Sequence, residues 1–321
     1  MHDTPSVTVV IPAHNEERYI ESTIASIYAQ EYLTEKVEIF VVDNNSSDNT
    51  GALAKKSGAN VLFCPSGKVG AVRNLGAANS QNAIIAFIDG DCEAAPLWLS
   101  AAVLKLSDPS VGAVGGPCLL PKETTWVEAA FVGPPIHREG ETSRLAGSSL
   151  IMRRKDFESI GGFSETLSAG EDDELSARVR AQGFKVLTLA NCSVIHNGYP
   201  KSLSQIFRKQ LWHAKNQLET AESWRDSTLI VTHLFTLNAA CLLATEVFAP
   251  IRNPILSSAF LGAEIILAVL LAAVKTRRTG GGIRRLVPLT AINIVYLSAR
   301  AVALIGNYWR KLKNILSPDK S

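Results

Sequence analysis

The segment AIIAFIDGD, residues 83–91, decides the fold. Its first six residues form an unbroken apolar run, short and rich in Ile, which reads as a strand buried on both faces. The run breaks off at Asp89-Gly90-Asp91, two acids around a residue that permits a tight turn. The same grammar recurs upstream. VTVVI (7–11) is a β-branched run closed by Pro12, VEIFVV (37–42) runs into DNNSSD (43–48), and VLF (61–63) is a further short strand. Helical stretches lie between them. Glu16–Gln30 spaces Tyr19, Ile20, Ile24 and Ile27 along one helix face, a helix through Lys56 is expected to open at Asp48, and Val69–Ala78 is a third. This alternation predicts an α/β fold, a mostly parallel sheet covered by helices on both faces. Ligands of such sheets bind beyond the carboxyl ends of the strands. His14-Asn15-Glu16, Asp43-Asn44 and Asp89–Asp91 gather there.

Composition narrows the function. The 321 residues are 46% hydrophobic and 19% charged, with a net charge of +2. So weak a field argues against a nucleic-acid partner. A mean hydropathy of +0.12 argues against disorder. The five cysteines, at positions 64, 92, 118, 192 and 241, form no CxxC, which speaks against a zinc ribbon or a disulfide scaffold and for a reducing compartment. Pro12-Ala-His-Asn stands where a dinucleotide fingerprint would follow the first strand, and Gly67-Lys68-Val69 is no P-loop. No HExxH is present, and Ser148 lies in Gly-Ser-Ser-Leu, not in a nucleophile elbow. Rossmann-type hydride transfer, ATP hydrolysis and serine hydrolysis all lose ground.

Three clusters carry possible chemistry. Asp89 and Asp91 repel at close range, which favours a divalent cation beside them, and a small set of oxygen ligands suits Mg²⁺ or Mn²⁺. A solvated polar turn is the competing reading. Glu171-Asp-Asp-Glu174 opens a helix, where acids suit the dipole. Four in succession exceed what capping needs, and their crowding would raise at least one pKa and create a general base. The residues alone do not choose which. His196 ends the strand-like run Cys192–Ile195 and is either a structural hydrogen-bonding residue or a metal ligand. Lys68 and Arg73 lie around a helix start, able to meet phosphates or to form a solvated face.

Taken in order, VVIPAHNEE (9–17), VVDNNSSDNT (41–50), Gly70–Gly76, FIDGD (87–91), Gly161–Phe163 and GEDDELSAR (170–178) make residues 6–215 resemble a family-2 glycosyltransferase of the GT-A fold. The resemblance implies a nucleotide-sugar donor, a UDP-sugar first among them, and inverting transfer. It places Asp43 on the nucleobase, Pro12 and Glu16 in the same pocket, Arg73 on the donor side and Asp89 at the ribose or sugar. It gives Asp91 to the metal, with His196 as a further ligand, and Asp172 the role of base. Gly147, Ser148 and Glu171 would lie on the acceptor side. Processive members carry Gln-x-x-Arg-Trp after the base. Here Gln205-Ile-Phe-Arg208 is followed by Lys209, which implies addition of a single sugar.

The tail differs in kind. A catalytic domain is expected over 1–226 and a membrane region over 227–321, with apolar segments at 228–248, 255–274 and 286–305. The basic, acid-free loop Lys275–Arg285 predicts a hairpin of the first two segments that returns to the cytosol. The polar seam Asn293, Arg300 and Asn307 suggests that the third lies in the interface, with a third span and a buried helical subdomain as alternatives. Met1–Ser6 has no basic n-region, so the catalytic domain is expected at the cytoplasmic face of the cell membrane. An anchored sugar-transfer site implies a lipid-linked saccharide or a bare polyprenyl phosphate as acceptor. A non-catalytic nucleotide-sugar-binding or scaffolding protein is the reading from another class.

Overall fold

The strands follow the apolar runs. β1 is Val7–Ala13, β2 Val37–Asp43, β3 Asn60–Phe63 and β4 Ile84–Phe87, and three helices connect them: α1 (Ile20–Tyr28), α2 (Thr50–Lys56) and α3 (Val69–Ala78). Then come β5 (Cys92–Ala94), α4 (Trp98–Leu106), β6 (Val111–Gly115), β7 (Cys118–Leu119), α5 (Trp126–Val132), β8 (Gly140–Glu141) and β9 (Leu150–Arg153). α6 (Arg154–Ser159), α7 (Glu171–Ala181), β10 (Lys185–Thr188), β11 (Val194–His196) and α8 (Leu203–Gln217) precede the long helices α9 (Ser227–Val247), α10 (Pro254–Thr279) and α11 (Leu286–Leu316). This is a computed structural model, and the structure describes residues 4–134, 139–217, 227–247, 254–279 and 282–316.

Eight strands form one sheet in the order β3-β2-β1-β4-β9-β6-β10-β8. β1 pairs in parallel with both β2 and β4, β2 with β3, and β6 with β10. β9 runs antiparallel between β4 and β6, and β8 antiparallel on β10. A small sheet, β5-β11-β7, sits beyond the end of β4 and brings Cys92 opposite His196. The large sheet is covered on both faces, as its continuous apolar strands require. One core layer sets Val9, Ile11 and Ile39 against Ile20 and Ile24 of α1 and Trp98 and Leu99 of α4. The other sets Val10, Ile85 and Met152 against Val72 of α3, Phe157 of α6 and Leu175 of α7.

The chain divides into two compact units, residues 1–122 with 135–198, and residues 123–134 with 199–321. The boundary expected at residue 226 lies outside the described residues, as do Phe248 and His137. In the second unit Val127 and Ala130 of α5 and Ile206 of α8 share a core with Ile292 of α11, which is why α5 and α8 group with the tail. α5 starts with a capping box, Thr125 Oγ1 accepting from Glu128 N (3.2 Å) and Glu128 Oε2 from Thr125 N (2.8 Å). Two cations from the tail meet its last carbonyls, where the helix dipole is negative: Lys275 donates to Phe131 O at 2.9 Å and Arg285 to Ala130 O at 3.1 Å.

Two described stretches, 254–277 and 283–310, are helices long and apolar enough to cross a membrane, and 230–245 is a shorter apolar helix. α11 is continuous through the expected third segment. Its polar seam meets protein: Asn293 Nδ2 donates to Ala268 O at 3.1 Å, and Arg300 is buried and lies over the Tyr296 ring at 5.1 Å.

Candidate active site

The loops after β1 and β2 are zipped together. Asn44 N donates to Ala13 O (2.8 Å), Asn15 N to Ser46 Oγ (2.9 Å), Ser47 N to Asn15 Oδ1 (2.8 Å) and Glu16 N to Thr50 Oγ1 (2.7 Å). Asn15 and Asn45 hold φ near +59° and +58°, the left-handed region that Asn tolerates better than most side chains. Asp43 ends β2, and its Oδ1 accepts from Ser46 N at 2.9 Å. Pro12, at the end of β1, and Glu16 converge on Gly90, where an added Cβ would lie 3.4 Å from Pro12 O and 3.2 Å from Glu16 Cγ. His14 instead closes the loop, with Nδ1 2.8 Å from Asn44 O.

β4 delivers Asp89 and Asp91 just past its carboxyl end. Asp91 is largely buried, with Oδ2 3.6 Å from Nδ1 of His196, which β11 supplies. Burial raises the Asp91 pKa, His196 opposes that rise, and the nearby charge of Asp89 adds to it. Among the described residues Asp91, Cys92 and His196 are the group whose ligand atoms lie within 4.8 Å of one another. Cys92 is fully buried, and burial pushes its thiol far above the ordinary range, so it is a neutral neighbour. One oxygen of Asp91 needs a bare backbone opposite it, since a Cβ on Gly198 would stand 1.8 Å from Oδ2. A carboxylate and an imidazole at this spacing fit a Mg²⁺ or Mn²⁺ ion that completes its shell with phosphate and water.

Arg73 is the centre of the charged cluster. Its Nη2 donates to Asp89 Oδ1 at 2.7 Å and its Nη1 to Glu171 Oε1 at 2.6 Å. The guanidinium lies over the Phe163 ring at 5.3 Å, with its side chain 4% exposed. Burial would weaken its charge, but Asp89 and Glu171 outweigh that and hold its pKa above the ordinary value. Lys68, also a candidate for phosphate, is exposed and donates from Nζ to Thr166 O.

α7 opens at Glu171, after Gly170 in the left-handed conformation. Asp172 is its second residue, and Oδ2 accepts from Gly147 N at 2.9 Å. Ser148 is buried, its hydroxyl 3.0 Å from Cys118 Sγ. The Cys118 thiol is pushed up to about 11, first by burial, against the Ser148 hydrogen bond, then by the charges of Asp89, Asp91 and Asp172. The charges of Asp89, Asp91 and Asp172 thus all bear on the Cys118 thiol, while Arg73 ties Asp89 to Glu171, the residue before Asp172. Cys118 is not legible in the sequence, because nothing in a two-residue strand distinguishes a thiol beside the site from a core thiol. The backbone N–H of Gly147 is equally hidden in the sequence, although the resemblance places Gly147 on the acceptor side.

Residues 8–160 match the family model described as glycosyl transferase family 2, and residues 130–200 the one described as N-terminal domain of galactosyltransferase. The glycosyltransferase AglE of Haloferax volcanii is 28% identical over 73% of this chain and 79% of its own length. The beta-monoglucosyldiacylglycerol synthase of Synechocystis is 23% identical over 66% of this chain and 47% of its own. Two further curated relatives are covered over only 17% and 49% of their length. Among solved structures, the mannosyltransferase PcManGT of Pyrobaculum calidifontis, in complex with GDP-Man and Mn²⁺, superposes with a TM-score of 0.57 at 21% identity, over 97% of this chain and 89% of that one. The likeness is one of fold.

Proposed function

We propose, for a chain that belongs to glycosyl transferase family 2, the transfer of one sugar from a nucleotide-sugar donor to a membrane-associated, lipid-linked acceptor, with inversion at the anomeric carbon. The chain is a glycosyltransferase. The observation that carries the finer reading is that Arg73 joins Asp89, two residues from the Asp91–His196 pair, to Glu171, the residue before Asp172. A donor site and a base have to face one cleft for a direct displacement.

In this reading Asp43, Pro12 and Glu16 line the nucleotide pocket and Asp89 meets the ribose or sugar. Asp91 and His196 would hold Mn²⁺ or Mg²⁺, which, when bound, offsets the charge gathering on the departing diphosphate. Asp172 takes the proton of the acceptor hydroxyl. The oxygen forms its bond to the anomeric carbon as the bond to the diphosphate breaks, and the pair of electrons leaves with the nucleoside diphosphate. The backbone N–H groups of Gly147 and Asp173 each bond one oxygen of Asp172 and orient the carboxylate for that role. A positioned base contributes about 10²–10⁴-fold.

The apolar stretches 254–277 and 283–310 support association with a membrane, here assigned to the cell membrane with the catalytic unit at its cytoplasmic face. The name of the Synechocystis relative, a synthase of a glucosylated diacylglycerol, supports a lipid acceptor. The test is nucleoside-diphosphate release by the detergent-solubilised protein with UDP-, GDP- and dTDP-sugars, with Mn²⁺ or Mg²⁺ against EDTA, and with or without polyprenyl lipid. Metal-dependent release from one donor, enhanced by lipid, is the expected result. Silence with every donor, and no protection of the fold by any of them, overturns it.

A further inference from the structure

We infer that Glu171 and Arg73 are positioning residues, a charged strut that fixes the base-bearing turn of α7 to the donor-side carboxylate at the end of β4. The inference rests on the transfer reading above and reassigns two residues within it. Glu171 would otherwise be an acceptor contact and Arg73 a donor contact.

The fork of Arg73 is fully engaged. Both terminal nitrogens of Arg73 are committed, one to Glu171 at 2.6 Å and the other to Asp89 at 2.7 Å. The Arg73 side chain is 4% exposed and that of Glu171 7%, so neither presents a face to a substrate, whereas Asp89 is 30% exposed. One end of the strut is therefore closed and the other reaches solvent.

The post that carries Arg73 is fixed. Asn74, the next residue of α3, clamps the backbone of Phe163 from both sides, donating to its carbonyl at 2.9 Å and accepting from its N–H at 2.9 Å. The Phe163 ring lies beneath the guanidinium. Gly147 closes the other side, since a Cβ there would stand 2.6 Å from Nη2. The same Gly147 gives its N–H to Asp172. Arg73 thus meets Gly147, which orients the base, and Glu171, which precedes the base, two chain positions that only the fold brings to it. A bidentate guanidinium holds two carboxylates in a fixed plane, which an ammonium does not.

A misplacement of a catalytic group by about 1 Å costs on the order of 10²-fold in rate. Glu171→Gln keeps the shape and removes the charge, and Arg73→Lys keeps the charge and removes the fork. Both are expected to lower kcat about 10²-fold, with donor and acceptor KM held within a few-fold. The double variant should lose no more than the worse single one, because the two residues act as one unit. Glu171→Asp, which keeps the charge on a shorter arm, should recover part of the rate. Melting curves establish that each variant is assayed folded.

A rise in acceptor KM with kcat retained in Glu171→Gln would return Glu171 to the acceptor and overturn the inference. A rise in donor KM with kcat retained in Arg73→Lys would do the same for Arg73, as would additive losses in the double variant. A wild-type protein inactive with every donor removes the transfer reading itself, a result separate from any of these.

Discussion

Gly147→Ala adds one methyl group against the Arg73 guanidinium. The backbone at 147 is outside the left-handed region, so alanine adopts it without strain and the effect is purely steric. The new Cβ would lie 2.6 Å from Nη2, 2.7 Å from Cζ and 2.8 Å from Nη1 of Arg73. Ordinary carbon contacts are about 3.5–4.0 Å, so the guanidinium plane has to retreat by about 1 Å. It cannot do so freely, because its hydrogen bonds to Glu171 and Asp89 are 2.6 and 2.7 Å long. A displacement of that size takes at least one of them beyond its working range of about 3.2 Å. Losing a hydrogen bond to a charged group costs about 1.5–3 kcal/mol, and inserting a methylene into a packed site about 1–3 kcal/mol, which agree on about 2 kcal/mol. Urea unfolding reads this directly. With a slope of about 1–3 kcal/mol per molar, the midpoint should fall by about 1 M. The same substitution made on an Arg73→Lys background should cost clearly less, since the flat fork it collides with is gone. A stability unchanged to within about 0.5 kcal/mol, or an equal loss on both backgrounds, would refute the reasoning.

Asp172→Asn should leave protection of the fold by donor intact and remove transfer by about 10²–10⁴-fold, and unchanged turnover counts against the base assignment. Asp91 gives a pH signature. Its folded pKa is raised, so as pH climbs above the ordinary carboxylate range the unfolded chain gives up its proton first and stability falls. In EDTA at neutral pH, Asp91→Asn should therefore melt higher than wild type, the two converging near pH 4, while the variant loses the rise in melting temperature that Mn²⁺ gives wild type. A variant that melts lower at every pH contradicts this. For Cys118, a thiol pushed up to about 11 has about one thousandth of its population as thiolate at pH 8. Iodoacetamide labelling of Cys118, followed by peptide mass mapping, should be slow at pH 8 and rise about tenfold per pH unit towards pH 10, and fast labelling at pH 7 rules out the environment described.

The elements most legible in the sequence were those whose signal is local. Val69–Ala78 is a helix with the expected bounds, and the four apolar runs are β1 to β4. Shorter signals moved by a few residues. The helix expected from Glu16 starts at Ile20, because Glu16 O is taken by the N–H groups of Tyr19 and Ile20 in a preceding turn. The one expected at Asp48 starts at Thr50, whose N–H and hydroxyl both bond the Asp48 carboxylate. α5 passed unnoticed although Thr125 and Glu128 spell its capping box, since a seven-residue helix without a long apolar face gives periodicity little to work on. The acids were visible as clusters, but their partners were not. Arg73 finds Asp89 16 residues away and Glu171 98 residues away, and no spacing rule connects such positions.

The antiparallel β9 has a consequence for how the chain is made. β4 pairs with β1 on one side and with β9 on the other, yet residues 150–153 leave the ribosome some sixty positions after residues 84–87. The first half of the sheet can assemble early, while its Ile84-Ile85-Ala86-Phe87 edge waits unpaired for a strand that has not been synthesised. An unpaired apolar edge is a template for other chains. Non-local pairing of this kind is also slow. The strand that completes the centre of the sheet is thus a late arrival, and truncations that end before residue 150 should emerge as aggregates with β4 at their core.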